Sequence, residues 1–260
     1  MNTVTFPGIN LTLHINRIAF SVFGVNIYWY GLIMVTAMVI GIIMLKKRDG
    51  LYNIKFEEVL NLLIFLIPIS LVSARLYYVI FNLEYYLSNP IQIINMRNGG
   101  MAIYGGIIGG IITCAVYCKK TKINLIDLID FLAPALVLGQ AIGRWGNFVN
   151  VEAYGTATFM PWRMGIYDEG NYIEVHPTFL YESLVCFIIL FILLLISNKR
   201  KFKGQISCTY LILYSIERIF VEGLRTDSLM LGNIRISQAL SIIILFVSFA
   251  FYLKEMTKNY

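Results

Sequence analysis

The sequence predicts an all-α polytopic membrane protein with seven transmembrane helices, N-terminus outside and C-terminus cytoplasmic, and small extracytoplasmic β-like arms. Three observations lead there. Of 260 residues, 58% are hydrophobic and only 14% charged, whereas soluble domains run near half and a quarter. The apolar residues fall in seven blocks, 25–45, 57–81, 101–118, 125–143, 178–197, 206–224 and 234–253, each near the roughly 20 residues a helix needs to cross hydrocarbon. Every lysine lies after an odd-numbered block: Lys46, Lys47 and Lys55; Lys119, Lys120 and Lys122; Lys199, Lys201 and Lys203; Lys254 and Lys258. The positive-inside rule makes that side cytoplasmic. Residues 1–260 read as one integral membrane domain, with an outer arm at 1–24 and an outer loop and small head region at 144–177.

In chain order, the outer arm carries Ile18–Ile27, rich in β-formers around Gly24, which predicts a hairpin on the membrane surface. No cationic head precedes a short apolar core, so the first span is expected to act as the targeting signal. Tyr28-Trp-Tyr-Gly31 opens span one, with aromatics where interfaces collect them. Span two holds Pro68, a kink site, and ends near Arg75. Span three places Gly105 and Gly109, and Gly106 and Gly110, one turn apart, a smooth face suited to close helix packing or to a slot for an acyl chain. Span four starts with Asp127 and Asp130, read as structural charges at a helix N-terminus, and carries Pro134. Residues 160–175 read as strand, turn, strand. Span five opens with His176-Pro and contains Glu182; span six ends Glu217-Arg218, Glu222 and Arg225-Thr-Asp227. Arg218 and Glu222 sit four apart, the spacing of an intrahelical ion pair. Span seven has no polar signal.

The net charge of +6 does not point to nucleic acid, because it is concentrated at the cytoplasmic ends of spans. Cys114, Cys118, Cys186 and Cys208 all lie in or beside apolar blocks, and the two histidines, His14 and His176, neighbour none of them. Neither a zinc cluster nor a disulfide scaffold is expected, and no cofactor is implied.

The non-cytoplasmic cations are all arginines: Arg17, Arg75, Arg97, Arg144, Arg163, Arg218, Arg225 and Arg235. Arginine's planar fork suits bidentate contact with phosphate. A carboxylate such as Glu182 inside an apolar span needs a partner, and Arg75, Arg144 and Arg218 are the candidates. These groups share one depth with Asn147, Asn150, Glu152 and His176, so the residues alone describe a cationic site for an anionic phospholipid headgroup. An enzyme acting on such a lipid, an outer-leaflet phospholipid transporter and a lipid-binding scaffold all fit that description; no internal repeat supports the transporter.

The stretch Gly143-Arg-x-Gly-Asn-Phe-x-Asn-x-Glu-x-x-Gly155 resembles the signature of prolipoprotein diacylglyceryl transferases at every defined position. Trp29-Tyr-Gly31, Tyr104-Gly-Gly106, His176-Pro, Tyr181-Glu182 and Arg218 to Asp227 extend the resemblance along the chain. It implies a multi-pass enzyme of the bacterial cytoplasmic membrane, with its active site on the extracytoplasmic side. Its partners would be phosphatidylglycerol and the signal peptide of a prolipoprotein. The enzyme would move the sn-1,2-diacylglyceryl group to the lipobox cysteine thiol, making a thioether and releasing glycerol phosphate. Arg144 and Arg225 would hold the phosphate. Asn147, Asn150, Glu152, Gly155 and Tyr30 would shape the headgroup site, with Arg75, Glu182 and His176 around them. One position departs from the family's pattern: better-known members carry a histidine, assigned as the thiol's base, where this chain has Tyr104. Tyr104 is expected in the site as a catalytic candidate, but a phenol of pKa ~10 is a poor base for a thiol of pKa ~8.5. Either nearby arginines acidify the thiol or the phenol, or His176, Glu152 or the lipid phosphate takes the proton.

Overall fold

The computed structural model describes residues 2–95, 99–232 and 234–258. Arg97 therefore lies outside the described residues. Helices occupy all seven apolar blocks: α1 Trp29–Lys46, α2 Phe56–Phe81, α4 Ile103–Thr121, α5 Leu125–Asn150, α6 Thr178–Ser197, α7 Gln205–Leu224 and α8 Ile236–Lys258; a short α3, Leu83–Ser88, follows α2. Among the described residues, α1, α2, α5, α6 and α8 are long and apolar enough to cross a membrane. The less apolar two are α4, with its glycines and two lysines, and α7, with Glu217, Arg218 and Glu222. Large apolar side chains stay uncovered along these helices, among them Leu184, Ile188 and Leu195 of α6 and Ile243, Phe246 and Val247 of α8. Water would penalise that surface and lipid would not. The protein is mostly helical and multi-pass.

The chain forms two compact units, one of residues 48–128 and one of 1–47 with 129–260. In the first, α2 and α4 pack through the small residues of α4. A Cβ on Gly105 would come within 2.4 Å of the Ser73 carbonyl oxygen, and one on Gly109 within 2.3 Å of Ser73 Oγ. The glycine face is therefore filled by α2 and is not an acyl-chain slot. The connection from α2 to α4 is not plain loop: α3 and a 3-10 turn at Pro90–Ile93 occupy it.

The second unit holds α1, α5 from residue 129, α6 to α8 and every strand. The expected hairpin forms from β3 Ile18–Val22 and β4 Val25–Tyr28, turning on Phe23 and Gly24, both with positive φ. The expected strand-turn-strand forms from β5 Met164–Asp168 and β6 Asn171–Val175, a two-residue turn at Glu169 and Gly170. The N-terminal arm goes beyond its expected hairpin. β1 Asn2–Phe6 and β2 Leu11–Ile15 extend β5–β6 into a four-stranded sheet of order β2-β1-β5-β6. Val4, Met164, Ile166 and Val175 pack with Phe179 of α6 in one core, against which Phe148 of α5 rests. A final ribbon, β7 Met230–Leu231 and β8 Ile234–Arg235, leads into α8.

At the far end of these helices Asp130, fully buried, accepts from Gly204 N at 2.8 Å, Ser207 N at 2.8 Å, Ser207 Oγ at 2.7 Å and Arg200 Nη1 at 3.0 Å. It caps the N-terminus of α7 from a neighbouring helix, where a negative charge is favoured.

Candidate active site

The glycine-rich stretch is not a loop throughout. α5 continues through Asn150, because Trp145 and Phe148 keep apolar contacts at helical spacing: Trp145 lies edge-on to Phe179 at 5.5 Å, and Phe148 stacks on it at 4.6 Å. Gly146 is required here, since a Cβ would meet the Tyr30 ring at 2.5 Å. The Tyr30 phenol thereby comes under the charges of both Glu152 and Arg144.

After Asn150 the backbone turns through Val151 at φ 52° and Ala153 at φ 56°. A β-branched residue in the left-handed region is strained. Two bonds between one residue pair offset that strain: Glu152 N–H donates to the Asn147 carbonyl at 3.0 Å, and Asn147 Nδ2 donates to Glu152 Oε1 at 2.9 Å. Arg17 Nη2 donates to the Asn150 carbonyl at 2.6 Å, a cation on the helix C-terminus.

Gly155 then threads between two segments. Its N–H donates to the His176 carbonyl at 3.0 Å, His176 N–H to Thr156 at 3.1 Å and Thr156 N–H to Leu224 at 2.7 Å, and Gly155 bridges Arg225. A Cβ there would stand 2.7 Å from His176 Cβ. The absence of a side chain thus lets His176 and Arg225 flank the last residue of the motif. Tyr181 Oη lies 3.1 Å from His176 Nδ1 and accepts from Trp162 Nε1 at 2.7 Å, so the imidazole is held in place at one nitrogen.

Three arginines from two stretches of the chain meet on one carboxylate. Glu182, 1% exposed, lies 2.5 Å from Arg144 Nη2 of α5, 3.1 Å from Arg218 Nη1 of α7 and 3.6 Å from Arg225 Nη1 just beyond α7. Arg218 also pairs with Glu222 one turn on. Arg225 forks onto Asp227, Nε to Oδ1 at 2.9 Å and Nη2 to Oδ2 at 2.7 Å. Those bonds hold the Asp227 carboxyl below the usual range, against the burial that works the other way. Burial also opposes the Arg225 charge, but Asp227 and Glu182 outweigh it and hold the guanidinium above its ordinary value. Arg144 makes a single ion pair among the described residues, which leaves guanidinium donors over.

Of the sequence-predicted residues, Arg144, Asn147, Asn150, Glu152, Gly155, Tyr30, Glu182, His176 and Arg225 all belong to this unit. Arg75 and Tyr104 belong to the other. Arg75 departs from expectation as a partner for Glu182 or a lipid anion: Nε donates to Ile93, Nη1 to Gly99 and Gly100, and Nη2 to Gln92 and Asn95. All five of its N–H donors are taken by carbonyls, and the guanidinium lies 5.2 Å from the Tyr86 ring centroid. Tyr104 sits partly exposed in the first turn of α4.

Sequence reasoning missed Glu217, 5% exposed, whose two carboxylate oxygens have no hydrogen-bond partner among the described residues. The signal was present: the rule that flagged Glu182, a carboxylate inside an apolar span, applies equally to Glu217.

A family model described as prolipoprotein diacylglyceryl transferase matches residues 17–254. Phosphatidylglycerol–prolipoprotein diacylglyceryl transferase of Finegoldia magna is 49% identical over 231 residues, covering 88% of this chain and 92% of that protein. The protein of the same name from Clostridioides difficile is 49% identical over 228 residues, 88% and 90% of the two chains. That of Clostridium novyi is 44% identical over 252 residues, 94% and 97% of the two.

Proposed function

The chain belongs to the prolipoprotein diacylglyceryl transferase family, and from that premise we infer that it transfers the diacylglyceryl group of phosphatidylglycerol to a prolipoprotein. The acceptor is the lipobox cysteine thiol, the product a thioether and the leaving group glycerol phosphate. The observation that carries the assignment to this site is the meeting of Arg144, itself a signature residue, with Arg218 and Arg225 on Glu182. In this scheme seven helices cross the bacterial cytoplasmic membrane, and the site opens on the extracytoplasmic side, opposite the lysines.

As the glyceryl carbon–oxygen bond breaks, negative charge grows on the phosphate. Arg144, with donors to spare, and Arg225, fixed by its two bonds to Asp227, take that charge. Because Glu182 and Asp227 already orient these guanidiniums, little reorganisation accompanies the step, which is the source of electrostatic catalysis. Asn147, tied to Glu152 at both ends, and Asn150 shape the headgroup site; Tyr30 closes it from α1. Arg218, bound on both sides by Glu182 and Glu222, positions Glu182 for the other two. The nucleophile is the substrate's own, so the buried cysteines of this chain need no role.

The test uses the full chain in vesicles of phosphatidylglycerol labelled in its glycerol backbone, with a lipobox peptide. Label on the peptide cysteine together with released glycerol phosphate supports the assignment. Intact lipid moving between leaflets without peptide labelling would replace it with transport.

A further inference from the structure

We propose that Glu217 takes the proton from the substrate thiol, a role that rests on the transferase assignment above. Buried carboxylates are bonded almost without exception, and Glu182, Glu222 and Asp130 of this unit each accept from an arginine at one oxygen at least. Glu182 and Glu222 are held by arginines, and Asp227 is forked by Arg225. Protonating any of these three would break an ion pair. Glu217 is buried like Glu182 and Glu222, yet neither of its oxygens is bonded to anything among the described residues. Among Glu182, Glu222, Asp227 and Glu217, the last alone can gain a proton without losing an ion pair.

Its placement fits the reacting atoms. Glu217 precedes Arg218 and lies five residues, ~7.5 Å along the axis, before Glu222, toward the middle of α7. The charges that act on it are Glu182 of α6, Arg218 of its own helix, Arg144 of α5 and Arg225. Its charge also acts on Cys186 of α6 and on Tyr210 and Tyr214 of α7. None of these bonds it: Tyr210 Oη and Gln140 satisfy each other at 2.9 Å, and the Cys186 thiol does not reach. From α8, residues Ile236 to Phe251 supply no acid, base or thiol. Glu217 is therefore a buried, unbonded carboxylate grouped with Arg144, Arg218 and Arg225. A phospholipid whose phosphate binds those arginines brings its glyceryl carbon to the same cluster, where a thiol carried by an apolar signal peptide approaches.

The step balances without any further reagent. The S–H proton passes to a Glu217 oxygen, and the sulfur lone pair attacks the glyceryl carbon. The carbon–oxygen bond breaks with its electron pair going to the phosphate oxygen. The proton on Glu217 then passes to the departing phosphate, restoring the carboxylate. This supplies a base other than the Tyr104 phenol.

The test compares two peptides, identical except for cysteine or selenocysteine at the acceptor position, in phosphatidylglycerol vesicles. A selenol is already ionised at neutral pH and needs no base. With Glu217→Gln, transfer to the cysteine peptide is expected to fall ~10²-fold or more, the scale of general-base catalysis, while transfer to the selenocysteine peptide stays near the parent rate. Glu217→Asp, which keeps a carboxylate but withdraws it by one methylene, is expected to fall between parent and Gln on cysteine only. Equal loss on both peptides, or no loss on either, overturns the proposal. Absence of transfer by the parent chain to either peptide would instead remove the transferase assignment itself.

Discussion

Arg75 and the Arg144–Arg218–Arg225 group answer the same problem, a guanidinium in an apolar chain, in opposite ways. Arg75 is 4% exposed and gives all five donors to carbonyls between residues 92 and 100. Its acceptors are neutral, its geometry is closed, and nothing is left for a ligand. The other three share carboxylates, chiefly Glu182, and Arg144 retains free donors. Saturation by backbone makes an arginine a clamp on its own chain. Partial satisfaction by side chains leaves it able to take an anion that develops charge during a reaction. Burial alone does not separate the two cases; counting donors does.

The largest expected effect tests the hub. Glu182→Ala removes the one anion common to three guanidiniums, and breaking a buried charge pair costs about 3–5 kcal/mol. Thermal unfolding of the detergent-solubilised protein should show it, along with loss of transfer. A variant as stable as the parent would mean the guanidiniums are not held by that carboxylate. Next comes Arg144→Ala, expected to lower the transfer rate by ~10²–10³, the scale for one donor aimed at developing charge, with insertion and melting nearly unchanged. Arg75→Ala should show the reverse pattern: about 1–3 kcal/mol of stability lost as carbonyls lose their donor, and little change in kcat/KM for phosphatidylglycerol. Were Arg75→Ala to cut turnover without touching stability, the contrast between clamp and site would collapse.

Gly155→Ala sharpens the same contrast at the backbone. The added methyl would stand 2.7 Å from His176 Cβ and 3.0 Å from Thr178 Cγ2, and overpacking of that kind costs about 1–3 kcal/mol. The ribbon should part between His176 and Arg225, raising KM for the lipid more than it lowers stability elsewhere. Faster amide exchange at Thr156 and His176 in the variant would report that parting.

Much of this was legible from the letters alone, and the exceptions share a cause. The helices are written in long apolar runs, and the hairpin of Ile18–Ile27 in β-formers around a glycine. The pairing of Thr5 with Gly165 is not, because strand register across so long a separation leaves no local pattern. The cluster on Glu182 was half legible: an intramembrane carboxylate announces a partner but does not say which. Arg75 misled because its partners are carbonyls, which every residue carries and no sequence pattern marks. The helical run to Asn150 was hidden by Gly143 and Gly146, which suggest a loop until the Tyr30 ring is seen resting on the second of them.

The smallest expected effect concerns Asp227, and its size follows from what it holds. Its carboxyl lies below the usual range because Arg225 forks onto it. A carboxyl depressed in the folded state stabilises the fold above its unfolded pKa, ~3.9, and that contribution fades as pH falls through the lower, folded value. The difference in stability between parent and Asp227→Asn should therefore be flat from pH 5 to 7 and begin to fade only as pH falls below about 4. Because the Asp227 side chain is half exposed, solvent screens the pair, and the plateau should be only about 0.2–1 kcal/mol. Unfolding measured across that pH range reads it directly. Asp227 holds one arginine where Glu182 holds three, so an Asp227→Asn plateau matching the Glu182→Ala loss would move the centre of the network from α6 to the turn after α7.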